Sequence, residues 1–219
     1  MQKRKKRKWF AGALSLLMLA MAATGVLATE AQSTDTPSEV GDAVPPPRFF
    51  RLHGTVAETM GLAQEPGEAP QEDAYVMVET AGGPVKLWVT ADTFVADLSN
   101  KEAEEAEESM PGIVTDMEIL AFFDTTLPAA MIYPPQYAAL AVLSGLPEEC
   151  SATVDVFDAE LVSDNGLLKL RPADTTRIIT PDGTAYQGEL AGRILLVLYT
   201  ATTRSIPAQT TPEKLIVLN

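Results

Sequence analysis

Reactive side chains are nearly missing from this sequence: 219 residues hold one cysteine, Cys150, and one histidine, His53. With one cysteine no internal disulfide can form, so the thiol is either a buried small hydrophobe or a group able to pair with another chain. Zinc sites built from His and Cys need several such ligands, so no metal site and no cofactor is assigned. A Ser–His–Asp or Cys–His device needs its histidine beside a nucleophile. His53 instead stands in a strand-like stretch next to Gly54, and no G-x-S-x-G motif occurs. No catalytic residue is nominated, and the expectation is a protein that is not an enzyme.

Basic residues are scarce and badly distributed. Six of the 16 Lys and Arg lie in the unbroken block Lys3–Lys8, ahead of the charge-free apolar run Trp9–Ala28. A basic head, an apolar middle and small residues at Val26-Leu27-Ala28 are the parts of a secretory signal, so residues 1–28 read as a signal peptide or, uncleaved, as a membrane anchor. Either form puts the remainder outside the cytoplasm, secreted or on the cell surface, with membrane contact only through the N-terminal segment if it stays. Removing those six basic residues leaves 10 basic against 30 acidic side chains, a formal charge of −20. Such a surface repels polyanions, so nucleic acid is not an expected partner.

Aromatics are few, and Trp88 is the only tryptophan after residue 28. Glycoside hydrolysis needs two carboxylates facing across a cleft, usually one lined with aromatics, and no such pair can be nominated. Trp88, on the same strand face as Lys86 by alternation, is a candidate for stacking on a sugar ring or else a partly buried barrel residue. Glu102–Glu108 and the group Asp155, Asp158, Glu160 and Asp164 are acidic enough to attract calcium but lack the D-x-D-x-D-G spacing that wraps one ion. Solvated acidic faces are the plainer reading.

What is present is β pattern. Residues 29–47 form a Pro/Thr/Ser/Glu linker ending in Pro45-Pro46-Pro47. After it come strand-like runs at Phe50–Val56, Tyr75–Thr80, Val85–Val89, Met117–Phe123 and Ala138–Leu143, with Gly82-Gly83 as a hairpin signal. Ser99 and Glu102 have capping-box spacing, which predicts a short acidic helix over 100–109. Strand, strand, strand, helix, strand, strand is the element order of an OB-type barrel.

The second half repeats the first in character. Ala91-Asp92-Thr93 recurs as Ala173-Asp174-Thr175, and Ile119–Phe123 as Leu195–Tyr199. Asp164-Asn165-Gly166 is a hairpin turn, and Pro181-Asp182-Gly183 stands where the helix would be. The expected fold is therefore all-β with one short helix: two tandem small barrels of OB-like order, a duplication, over 48–145 and 150–219. One continuous β-sandwich is the alternative.

The segment Leu127–Tyr137 packs prolines and aromatics into a loop between two strands. Proline fixes φ and lowers the entropy of the free chain, so the loop can hold one shape without disulfides. It either folds back to plug a barrel end or displays Tyr133, Pro134, Pro135, Gln136 and Tyr137 as a partner-binding surface. Phe123-Asp124, Pro128, Met131-Ile132 and Tyr133-Pro134-Pro135-Gln136-Tyr137 together resemble a motif of exported clostridial-type envelope proteins of unassigned function, some carrying a copper-amine-oxidase N-terminal-like (stalk) domain elsewhere. The resemblance covers about residues 50–143. It implies an envelope location and carries no copper or oxidase chemistry. The expected function is an exported binding or structural module of the envelope acting on an unidentified envelope or extracellular protein, or alternatively a barrel that binds wall saccharide or a divalent cation.

Overall fold

The computed structural model describes residues 47–62, 69–99 and 112–219. The signal segment, the linker up to Pro46 and the acidic stretch 100–109 lie outside them. Among the described residues all regular structure is strand, in thirteen pieces, with no helix. The first half contributes β1 (Phe49–Met60), β2 (Tyr75–Thr80), β3 (Gly83–Trp88), β4 (Phe94–Asp97), β5 (Glu118–Asp124), β6 (Gln136–Ala138) and β7 (Ala141–Ser144). The second contributes β8 (Ser151–Val156), β9 (Leu168–Leu170), β10 (Arg177–Ile179), β11 (Ile194–Tyr199), β12 (Ala208–Thr210) and β13 (Lys214–Val217).

Seven strands form one sheet in the order β4-β7-β5-β1-β2-β3-β6; four form β10-β13-β11-β8; and β12 pairs with β9. None of these sheets is closed into a barrel by its own ladders. Two differences from the sequence pattern stand out. β4 was not expected, because four residues give too little alternation to read. The run Ala138–Leu143 is not one strand: it breaks at Ala139-Leu140 into β6, parallel to β3, and β7, antiparallel to β5.

Four of the six strand pairings of the first half recur in the second; β1–β2 and β2–β3 have no ladder counterpart there among the described residues. β5 runs antiparallel to β1 and β7, β4 parallel to β7, and β3 parallel to β6. β11 runs antiparallel to β8 and β13, β10 parallel to β13, and β9 parallel to β12. Single bonds fix the correspondence. Leu140 N donates to Phe122 O at 2.8 Å and Phe94 N to Leu140 O at 3.0 Å; Glu213 N donates to Leu198 O at 2.9 Å and Arg177 N to Glu213 O at 3.0 Å. On this register Thr93 corresponds to Thr176, one residue beyond the Thr175 that the repeated Ala-Asp-Thr suggests.

Burial explains why β5 and β11 are continuous apolar runs. Ile119, Ala121 and Phe123 pack with Val56, Val76, Val78 and Leu87 inside the first half. Leu195 and Val197 pack with Phe157, Leu170 and Leu215 inside the second. The alternate residues Leu120 and Phe122 meet Leu196 and Leu198 in a third core, which also takes Phe49, Leu143, Val154 and Ile216. A strand covered on both faces has no polar side to show. Each fully buried Leu, Ile or Phe in these cores contributes roughly 1.5–3 kcal/mol.

Two glycine positions carry the local geometry. Gly54 lets β1 pass tightly under β2: a Cβ there would lie 2.7 Å from Val78 Cγ1 and against the Glu79 carbonyl. A bulge follows at once, the register slipping between Val56 and Glu58, which adds twist where the sheet must curl. Gly166 takes φ 70° in the Asp164-Asn165-Gly166 turn, with Asn165 Oδ1 accepting from Ser163 Oγ and Leu167 N.

Candidate functional site

Both ends of the loop between β5 and β6 are fixed. At its start Asp124 Oδ1 accepts from Thr126 N (2.9 Å) and Thr126 Oγ1 (2.6 Å), closing a tight turn. Asp124 Oδ2 lies 2.9 Å from the Arg48 guanidinium. Burial works to raise the pKa of this carboxyl, but the bonds from Thr126 and Arg48, with the Arg48 charge, outweigh it and hold the pKa below its usual value. Thr125 Oγ1 donates to Pro47 O (3.1 Å) and Arg48 O (2.8 Å). The chain entering the first half is thereby bound to the base of the loop.

At its other end Lys86 N donates to Pro135 O at 2.9 Å and β6 joins β3. Tyr137 stacks on Phe123 with centroids 4.0 Å apart and an interplanar angle of 11°, and Phe50 lies against the same ring at 5.3 Å. Between these anchors the side chains turn outward: Met131 is fully exposed, Tyr133 81 %, Leu127 55 % and Ile132 54 %. The five candidate residues are thus not one surface. Tyr133 projects, Pro134, Pro135 and Gln136 are half-buried, and Tyr137 lies in the aromatic stack.

Trp88 sits in a second cluster, on the outer face of β2, β3 and β6. Its indole N–H donates to Gln136 Oε1 at 3.2 Å, so two candidates from separate stretches come together. Tyr75 meets Trp88 edge-on at 6.0 Å, and Lys86 Nζ lies 3.7 Å from the Tyr75 centroid and 4.0 Å from that of Trp88. Lys86 and Trp88 share a face, as alternation predicts, and the ammonium covers one side of the indole in a cation–π contact worth roughly 0.5–1 kcal/mol where exposed. Tyr75 Oη donates to Glu58 Oε1 at 2.7 Å; that bond is the main reason its pKa is raised. In the second half Lys169, Arg171 and Gln209 occupy the matching places, and Arg171 Nε donates to Gln209 Oε1 at 2.6 Å.

Sequence reasoning missed the partners that complete both clusters, Phe50 and Tyr75. The signal for Tyr75 was available. Its strand and that of Trp88 flank the two-residue link Ala81-Gly82, and that register sets Tyr75 opposite Trp88.

His53 pairs with Glu118 at 3.3 Å, both well exposed. With Arg51, Glu118 and Cys150 it lines a cleft of about 550 Å³ beside the Gly145–Cys150 segment. Ser144 also lines it, and its Oγ is a buried atom without a hydrogen-bond partner. Its register neighbour is Ile119, which lines the same cleft and also packs in the first-half core. Among the described residues no group of three or more His, Cys, Asp or Glu is placed to hold a metal ion. No helix among them is long and apolar enough to cross a membrane. No protein-family profile, curated protein or solved structure matches the chain.

Proposed function

We propose that this chain is an exported, non-enzymatic binding or structural module of the cell envelope, secreted or membrane-tethered, acting through protein contacts. Its architecture is read as two OB-like barrels descended from one duplicated unit. Supporting the barrel reading, β6 and β7 are separated only by Ala139 and Leu140. The path β1-β2-β3-β6 therefore leads directly into β7-β5-β1, the strand order of a small five-stranded barrel. The pairings and side-chain bonds repeated between the halves favour duplication. Export rests on the N-terminal sequence, and the loop's resemblance to exported envelope proteins agrees with it.

One observation carries the contact surface: Tyr133 is 81 % exposed on a loop whose two ends are anchored by Asp124 and Tyr137. A large aromatic held in place before binding loses little conformational entropy on association. Tyr133→Ala in the full chain is expected to leave the denaturation midpoint unchanged and to abolish capture of an envelope partner. Tyr137→Ala is expected to cost roughly 2 kcal/mol by opening the stack on Phe123. Retained capture by the Tyr133 variant would remove this surface from consideration.

A second reading, a ligand-binding barrel for wall saccharide, is favoured by Trp88, Tyr75 and the Gln136 amide meeting on one outer face, the face OB barrels use for oligosaccharides. Its test is a thermal shift with wall glycan fragments, since a ligand that prefers the native state raises the melting temperature; loss of the shift in Trp88→Ala would support it. Of the two acidic groups behind the divalent-cation branch, Glu102–Glu108 lies outside the described residues, and Asp155, Asp158, Glu160 and Asp164 are not brought together as a group that could hold a metal ion.

A further inference from the structure

We propose that the tip of the β5–β6 loop, formed by Leu127, Met131 and Ile132, is a membrane-contact point whose partner is a neutral, zwitterionic lipid surface. This goes beyond the protein-contact reading, because it uses the tip rather than the Tyr133–Tyr137 segment.

Exposure is the first argument. Three large apolar side chains, one of them fully exposed, fall within six residues of one loop whose ends are held by hydrogen bonds and stacking. Clustered exposed apolar surface of this kind marks an interaction site.

Charge is the second. Residues 125–135 carry none, in a chain of net charge −14. The acidic remainder repels anionic lipid at long range, so adhesion has to come from apolar side chains entering the headgroup–acyl boundary of an uncharged surface. Tyr133 follows the tip directly, and tyrosine is a residue type enriched at that boundary.

The third argument is where the rest of the chain arrives. Residues 1–46 precede Pro47 and contain the apolar run Trp9–Ala28. Pro47 O and Arg48 O accept from Thr125 Oγ1, and the Arg48 guanidinium holds Asp124, so that segment joins the β unit at the base of this loop. Residues 29–46 can span at most about 60 Å when fully extended. In the membrane-tethered form the tether therefore attaches at the base of this loop.

The test uses the full chain reconstituted into phosphatidylcholine vesicles through its own N-terminal run. In a Cys150→Ser background, Met131→Cys carries an environment-sensitive dye, with Ala129→Cys as a second labelling site should the first disturb folding. The expected result is blue-shifted emission, quenched several-fold more strongly by spin-labelled lipid than in the same chain bearing Leu127→Asp and Ile132→Asp. Solvent-like emission, or quenching unaffected by the two aspartates, would overturn the proposal. A blue shift lost on dilution to one chain per vesicle would overturn it too, pointing to a second copy of the chain as the occupant; a shift insensitive to spin-labelled lipid would do the same in favour of a protein partner. Capture of a partner through Tyr133 is read in its own assay with Tyr133→Ala, so the two readings fail separately.

Discussion

The Thr93 hydroxyl donates to the Ala139 carbonyl at 2.8 Å while accepting from Thr90 N at 2.9 Å. One buried side chain thus joins the turn before β4 to the link between β6 and β7, where the strand changes partners. Thr176 does the same in the second half, donating to Pro212 O at 2.8 Å and accepting from Ala173 N at 2.9 Å. A bond that recurs with both its partners is a sharper marker of correspondence than the repeated Ala-Asp-Thr string, which lies one residue out of register with it.

Thr93→Val keeps the shape and deletes the hydroxyl, leaving a buried carbonyl and an amide without that partner. The expected loss is about 2 kcal/mol in urea denaturation. Thr176→Val, at a half-buried site, is expected to cost about 1 kcal/mol, and Thr175→Val, exposed, close to nothing. A loss at Thr175 equal to that at Thr176 would restore the register read from the sequence.

The core shared by Phe122, Leu143, Leu196 and Leu198 couples the halves. Leu198→Ala is expected to destabilise by roughly 2–5 kcal/mol through the cavity it leaves. The same shift should be read by Trp88 fluorescence, in the opposite half, with Trp9→Phe removing the other tryptophan. Coincident transitions by fluorescence and circular dichroism are the outcome for one cooperative unit. An unmoved Trp88 signal would mean that the halves unfold independently.

Asp155 on β8 is buried, and that burial raises its pKa despite bonds from the Val156 and Asn165 amides; the Asp164 carboxylate adds to the rise and the Arg48 charge opposes it. A carboxyl whose folded pKa is raised binds its proton more tightly when folded, so stability falls as pH rises from the ordinary Asp range through the folded value. Asp124 has the opposite sign: its lowered pKa contributes stability above the ordinary range, lost as pH falls. Asp155→Asn isolates the first effect. Its urea midpoint relative to the parent is expected to rise across that window and level off above it. A constant difference at all pH values would show that ionisation of Asp155 is not the cause.

Much of the fold was legible because its signals are local. Alternation located β1, β2 and β3, an unbroken apolar run located β5, and Asn165-Gly166 located a turn, since each depends on residues a few positions apart. β4 was illegible because its four residues are held by a parallel pairing with β7, distant in sequence. The candidate site was legible by residue type only. Tyr133 and Tyr137 look alike in the sequence, and what separates them is Phe123, which offers a ring to one and not to the other. Trp88 and Gln136 lie 48 positions apart, and only the parallel register of β3 with β6 sets their side chains within bonding distance.

By itself the sequence determined an all-β chain, an acidic one poor in reactive side chains, because composition and period-two alternation need no knowledge of distant contacts. The tertiary structure decided which half each strand joins, which face of β5 and β11 looks into which core, and which part of the proline-rich loop is anchored. Those outcomes depend on long-range pairing and side-chain packing, whose energies belong to pairs of residues that no local pattern connects.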